Sequence, residues 1–198
     1  MSIWSTTRAI GAALGMNKRS LDPVGCTLGR TIFNETKRAT QIVNVRRPSR
    51  GLAATTIEVL APWFPELDLT TVRVRESCRL PPNRFDTQGH IYAMTFGSTL
   101  YFRDQLDEDD PVELVHLAHE LVHVDQVRRL GGESAFACAY GRGYVEGGGE
   151  LPPYLKKTDA YHRNPLEAEA YRFEARFRDE QGRVVPDRLR RGGTDVPH

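Results

Sequence analysis

His119 and His123 stand four residues apart and enclose Glu120 in the run His119-Glu120-Leu121-Val122-His123, an H-E-x-x-H arrangement. On a helix, residues at that spacing share one face a turn apart, so both imidazoles can reach a single ion. Neutral imidazole nitrogen suits zinc, and the expected cofactor is Zn2+. Glu120 sits one step round the helix, beside the ion without ligating it. From there it can act as general base toward water that the metal acidifies. Leu121 and Val122 are apolar, which fits a helix that must be buried to hold its ligands rigidly. Leu114, Val115 and Ala118 can supply further core contact.

Catalytic zinc takes three protein ligands and keeps one position open. No third histidine follows the pair at short spacing, so the third ligand is sought downstream, in Asn164-Pro165-Leu166-Glu167-Ala168-Glu169-Ala170-Tyr171. Asn164 and Pro165 start a helix there and put Glu167 in its first turn. Glu169, two residues on, faces another way, so the pattern favours Glu167. A purely dipole-complementing role for these acids is the other reading. His116, three residues before His119, is expected to support the ligands or edge the cleft rather than bind the ion. Hydrolysis also needs a donor for the oxyanion. Tyr140, Tyr144, Tyr154, Tyr161 and His162 all lie between the pair and Glu167; Tyr161 and His162, close before Glu167, are the obvious candidates, with a structural role the favoured reading for each.

The elements that must position these groups carry their own signals. Asp110 suits a helix N-cap, Pro111 the first helical position and Glu113 the third, a capping box opening a helix over 111–129 that ends before Gly131-Gly132. A second helix is expected from Glu133 towards Tyr144, a Gly/Pro-rich loop over 147–153, and a last helix from Pro165 to about Arg178. Upstream, residues 52–64 carry helical spacing, ended by Pro62 and Pro65. Three β-type runs follow, at 71–75, 90–96 and 99–102, the last two a hairpin through Gly97-Ser98. They predict a small, mostly antiparallel sheet. Residues 91–96 could edge the cleft and pair with an extended peptide.

A chain of 198 residues is one domain by length. Residues 1–50 read as a basic, irregular lead with one short helix, 51–180 as the domain, and 181–198 as a disordered Arg-rich tail. Net charge is +1, yet residues 1–57 hold Arg8, Lys18, Arg19, Arg30, Lys37, Arg38, Arg46, Arg47 and Arg50 against only Asp22 and Glu35. No aromatic interleaving accompanies that flank, so it reads as solvated surface and no nucleic-acid partner is expected. No apolar window approaches a membrane span, and no signal peptide is recognised. The expected location is the cytoplasm, or outside it after export by a dedicated machine. Cys26, Cys78 and Cys138 are sparse and odd in number, which argues against a disulfide scaffold. Cys138 reads as a small buried hydrophobe. Were residues 1–50 to hold an enzyme latent, Cys26 is the thiol at hand there.

Glu167 with the helix pair resembles the gluzincin pattern. More specifically, residues 71–126 resemble the metallopeptidase-like core domain associated with bacterial extracellular contractile injection systems. The carrying residues are Val72-Arg73-Val74, Ile91-Tyr92-Ala93, Leu100-Tyr101-Phe102 and Leu117-Ala118-His119-Glu120-Leu121-Val122-His123-Val124-Asp125-Gln126, with the later Asn164-Pro165-Leu166-Glu167-Ala168-Glu169-Ala170. The resemblance implies an α+β, zincin-like fold, zinc on His119, His123 and Glu167, and Glu120 as general base. A zinc metallopeptidase acting on a peptide or protein substrate, with a secretion-system partner, follows from it. Two positions depart from the family: Tyr171 stands where its closing motif usually has Asp, and position 116 is His. The alternative is a non-catalytic, metal-binding interaction or cargo domain of a secretion or phage-tail-like injection system.

Overall fold

The start of the central helix is set by Asp110, whose Oδ1 accepts the N–H groups of Val112 and Glu113 at 2.7 and 3.4 Å. Helix α3 then runs Pro111–Arg129 in the computed structural model, which describes residues 18–81, 91–147 and 159–184. The capping box is not closed reciprocally. The Asp110 N–H already donates to the Asp107 carbonyl, so Glu113 turns instead to the Asp107 N–H at 2.6 Å. At the other end, Gly131 and Gly132 take φ of +87° and +123°. Their N–H groups return to the Arg128 and Val127 carbonyls, a Schellman closure that a side chain at Gly131 would strain.

The described residues form a mixed α and β arrangement of six helices and one three-stranded sheet. Before α3 come helices α1 (Lys18–Val43) and α2 (Ala54–Leu60), with 3-10 turns at Ala61–Trp63 and Leu69–Thr71. After it come α4 (Glu133–Glu146), α5 (Asp159–Arg163) and α6 (Pro165–Val184). The strands are β1 (Arg73–Arg75), β2 (Ala93–Phe96) and β3 (Thr99–Phe102), in spatial order β1-β3-β2. β2 and β3 form the expected hairpin, with Phe96 opposite Thr99 and Gly97 at φ +61°.

β1, however, pairs parallel to β3, so the sheet is mixed rather than mostly antiparallel. Alternation specifies which face a side chain takes and leaves strand direction open, which is why the pattern missed this. Among the described residues β2 is paired on one side only.

α3 is buried nearly all round, with Val115, Leu117, Ala118, Leu121, Val122 and Val124 in the core beside Leu60, Val72, Val74, Leu100 and Phe102. α6 closes over it through Ala170 and Phe177. Phe173 and Phe177 meet Trp63 edge-on at 5.5 and 5.1 Å, which fixes the height of α6 against the rest.

The N-terminal region differs most from expectation. Residues 18–43 are one helix, not an irregular lead. Gly25, Leu28, Gly29, Ile32, Phe33, Thr36 and Thr40 recur at helical spacing, but Gly and Thr are weak helix formers and the stripe is faint. Its stabilisation comes from packing against α4, not from propensity. A Cβ on Gly29 would lie 2.7 Å from the Gly141 Cα, so the two backbones meet where both lack side chains.

A Cys26–Cys138 disulfide ties the same pair of helices, which corrects the reading of Cys138 as a plain hydrophobe and of Cys26 as an available thiol. α6 also runs to Val184, taking in the first residues of the expected tail. The remainder of that tail, residues 185–198, lies outside the described residues, as do 1–17 and most of the expected loop at 147–153. No described helix is long and apolar enough to cross a membrane.

Candidate metal centre

α3 sends His119 and His123 to one face, and the first turn of α6 brings Glu167 against them. All three are buried, at 7%, 7% and 3% exposure. Glu167 Oε2 lies 3.6 Å from His119 Nε2 and 3.7 Å from His123 Nε2. Those separations are too long for hydrogen bonds, and Oε2 is buried without a hydrogen-bond partner. The ligand atoms of the three residues lie within 4.8 Å of one another. A buried, unpartnered carboxylate oxygen is costly, and an ion between it and the two imidazoles would satisfy it. His119, His123 and Glu167 could therefore hold a metal ion.

The atoms facing away from the cluster are each held. His119 Nδ1 meets Glu174 Oε2 at 3.0 Å, and Glu174 is steadied by Arg178 at 2.5 Å. His123 Nδ1 meets Gln126 Oε1 at 2.9 Å, while Gln126 Nε2 donates to the Leu166 carbonyl and to Glu169 Oε2 at 2.9 and 3.0 Å. With each Nδ1 engaged, each Nε2 is left for an ion. Tyr140 donates its hydroxyl to Glu167 Oε1 at 2.7 Å. Buried Asn164 caps the start of α6, accepting the Leu166 N–H and donating to the Tyr140 carbonyl. A Cβ on Gly143 would lie 2.8 Å from Asn164 Oδ1, so this junction needs a glycine on α4.

Glu169 is occupied by Gln126 and by Arg129 at 2.5 Å and takes no part in the cluster. Tyr171, at the place where the resemblance leads one to expect Asp, lays its ring 4.8 Å from that of His119. The carboxylate that orients His119 comes instead from Glu174, one turn further along α6.

Burial works against charge on these groups, but their mutual pairing outweighs it. Burial would lower the His119 pKa, yet the neighbouring Glu167 carboxylate and the hydrogen bond to Glu174 raise it to about 10. His123 is likewise raised, the Glu167 charge overcoming burial. Glu167 is held well below the usual carboxylate range, the two histidines overcoming burial. Burial first, then the Glu167 charge, pushes the Tyr140 and Tyr161 hydroxyls well up and Tyr171 to about 12. All three tyrosines thus remain hydrogen-bond donors at neutral pH.

The cluster opens onto a cleft of about 420 Å³. Glu120 lines it, with its Oε2 accepting from the Thr95 hydroxyl of β2 at 2.6 Å. Tyr161 and Tyr171, their ring centroids 6.4 Å apart, line it near Glu167. His116 edges the cleft with its ring 5.0 Å from that of Tyr92, apart from the cluster. Tyr144 is a buried lining residue, His162 is exposed against Tyr171, and Tyr154 lies outside the described residues.

Residues 52–131 match the family model of the eCIS core domain. The match links the chain to extracellular contractile injection systems. No curated protein and no solved structure matches the chain.

The matched segment begins just before α2 and ends with the glycine closure of α3. It therefore carries His119, Glu120 and His123, while Glu167, Glu174 and Tyr140 come from helices that follow it. Gln126, Glu174, Asn164 and Tyr140 had not been assigned these supporting contacts from the sequence. Two of them could have been sought by spacing, since Gln126 is three residues past His123 and Glu174 two turns past Glu167.

Proposed function

We propose that this chain is a zinc-dependent peptidase of a contractile injection system, with a zincin-like domain. The observation that carries the reading is the buried, unpartnered Glu167 Oε2 facing two Nε2 atoms, with Glu120 beside it in an open cleft. Two imidazoles and a carboxylate form a donor set suited to zinc. An ion held there would supply Lewis acidity, polarising a carbonyl and acidifying water.

The chain's own groups perform the remaining work. Glu120, oriented by Thr95, accepts the proton of the attacking water and returns it to the leaving amine. Tyr161 and Tyr171, both protonated, donate toward the oxygen on which charge develops. The outer side of β2 offers backbone groups to an extended peptide. Glu120→Gln should keep zinc and lower hydrolysis of a peptide library by about 10²–10⁴-fold. Hydrolysis by that variant equal to the wild type would sink the assignment.

A second reading is supported by the family match itself: a metal-stabilised, non-catalytic interaction or cargo domain of the same systems. It requires the ion but assigns nothing to Glu120. A wild-type protein that binds zinc and cleaves no peptide would favour it.

A further inference from the structure

The carboxylates and imidazoles that line the cleft, His116, His119, Glu120, His123, Glu167 and Glu174, all belong to α3 and α6. The opposite side is built by α1 and α4 and carries no charge. There Leu28, Ile32 and Phe33 of α1 line the cleft together with Phe136 and Val145 of α4 and Met94 of β2. These apolar residues of α1 are only partly covered by the protein. Phe33 meets Phe136 at 6.0 Å and Phe96 at 5.3 Å, and Phe136 lies 6.1 Å from the ring of His123. The apolar wall is thus continuous with the metal cluster.

The wall is fixed in place. Its helix is bonded to α4 through Cys26–Cys138 and seated by the Gly29–Gly141 contact. Both helices lie outside the matched segment, so the wall is supplied by this chain's flanking elements. A cleft of about 420 Å³ falls within the size that takes up a ligand group. Its division into a charged end and an apolar end fits a peptide whose backbone lies along β2 and whose one bulky side chain enters between α1 and α4.

We propose that α1 and α4 form an acceptor pocket that selects peptides bearing a large aliphatic or aromatic side chain beside the metal cluster. This rests on the peptidase reading and names the substrate class of that site. The test uses end-blocked, fluorescent hexaglycine and its variants carrying one central alanine, leucine or phenylalanine. Binding to zinc-loaded, full-length Glu120→Gln protein is followed by anisotropy, so that affinity is read without turnover. The phenylalanine peptide should bind at least about tenfold more tightly than hexaglycine, the effect of burying one such side chain.

Ile32→Trp, which fills the pocket from the cleft side, should bring that ratio close to one. Leu28→Gln, at a partly covered position, should lower it as well and serves if the first variant folds poorly. Equal affinity across the series overturns the proposal, as does failure of every peptide to bind. Wild-type protein is then assayed for cleavage of the same peptides. Preferential binding without cleavage retains the pocket and removes the peptidase reading alone.

Discussion

Glu174 and Gln126 hold the imidazoles by their far nitrogens, so they should set metal affinity without touching the ion. Groups placed this way contribute about 10–100-fold to affinity. Glu174→Ala should weaken zinc binding in that range by chelator competition, and Glu167→Ala should weaken it further. Glu169→Ala, which removes outer contacts of Gln126 and Arg129, should have much less effect. The histidine pKa values give a second prediction. His119 is raised to about 10 in the ion-free protein, so at pH 7 it carries a proton that zinc must expel. Calorimetry in buffers of different ionisation enthalpy should register that release, and zinc affinity should rise with pH. Ion-free stability should move the opposite way. The contribution of His119 is complete below its ordinary 6.5 and is lost as pH climbs through about 10. The contribution of Glu167 is present above its ordinary 4.5 and is lost as pH falls through its depressed folded value. Chemical denaturation across pH, with chelator and with zinc, should therefore give curves of opposite slope on the alkaline side.

At the level of elements, the α1–α4 pair is the feature most open to test. The disulfide spans a sequence separation of 112, and closing a long loop stabilises by about 2–4 kcal/mol. Cys26→Ser, or reduction of the wild type, should lower unfolding stability by that order in denaturant titrations. Gly141→Val should cost about 1–3 kcal/mol or more by forcing the helices apart. This pair also shows where sequence reading stops. α3 was legible end to end, because Asp110, Pro111 and the two closing glycines act on their own neighbours and His119, Glu120 and His123 share one turn. Glu167 was legible because Asn164 and Pro165 mark its helix start. α1 was not, since Gly25, Gly29, Thr36 and Thr40 make a persuasive stripe only once Gly141, far along the chain, is laid against them. Glu174 was missed for a related reason: its spacing puts it on the face of Glu167, but nothing marks it as a partner until His119 faces it. The direction of β1 was open as well, because its partner β3 is chosen by the path of the chain.

Across the whole molecule, the residues that could hold an ion divide between two pieces of sequence. The segment that matches the eCIS core model supplies His119 and His123 on a helix locked into the core, and α6 supplies Glu167 from beyond it. An ion bridging them would clamp α6 to α3 and join metal binding to folding. Ligand present at 1,000 times its dissociation constant stabilises by about 4.1 kcal/mol. For a chain of this size that should raise the melting temperature by roughly 10 °C. Glu167→Ala should abolish most of the rise, because it removes both a ligand and the tie to α6. Glu120→Gln should keep it in full, since Glu120 bonds Thr95 and lines the cleft without belonging to the cluster. Calorimetric scans with and without zinc separate the two readings when set beside peptide hydrolysis. A full thermal shift in Glu120→Gln with hydrolysis lost identifies a peptidase. The same shift in a wild type that cleaves nothing identifies a metal-stabilised domain, and absence of any shift removes the zinc site from both.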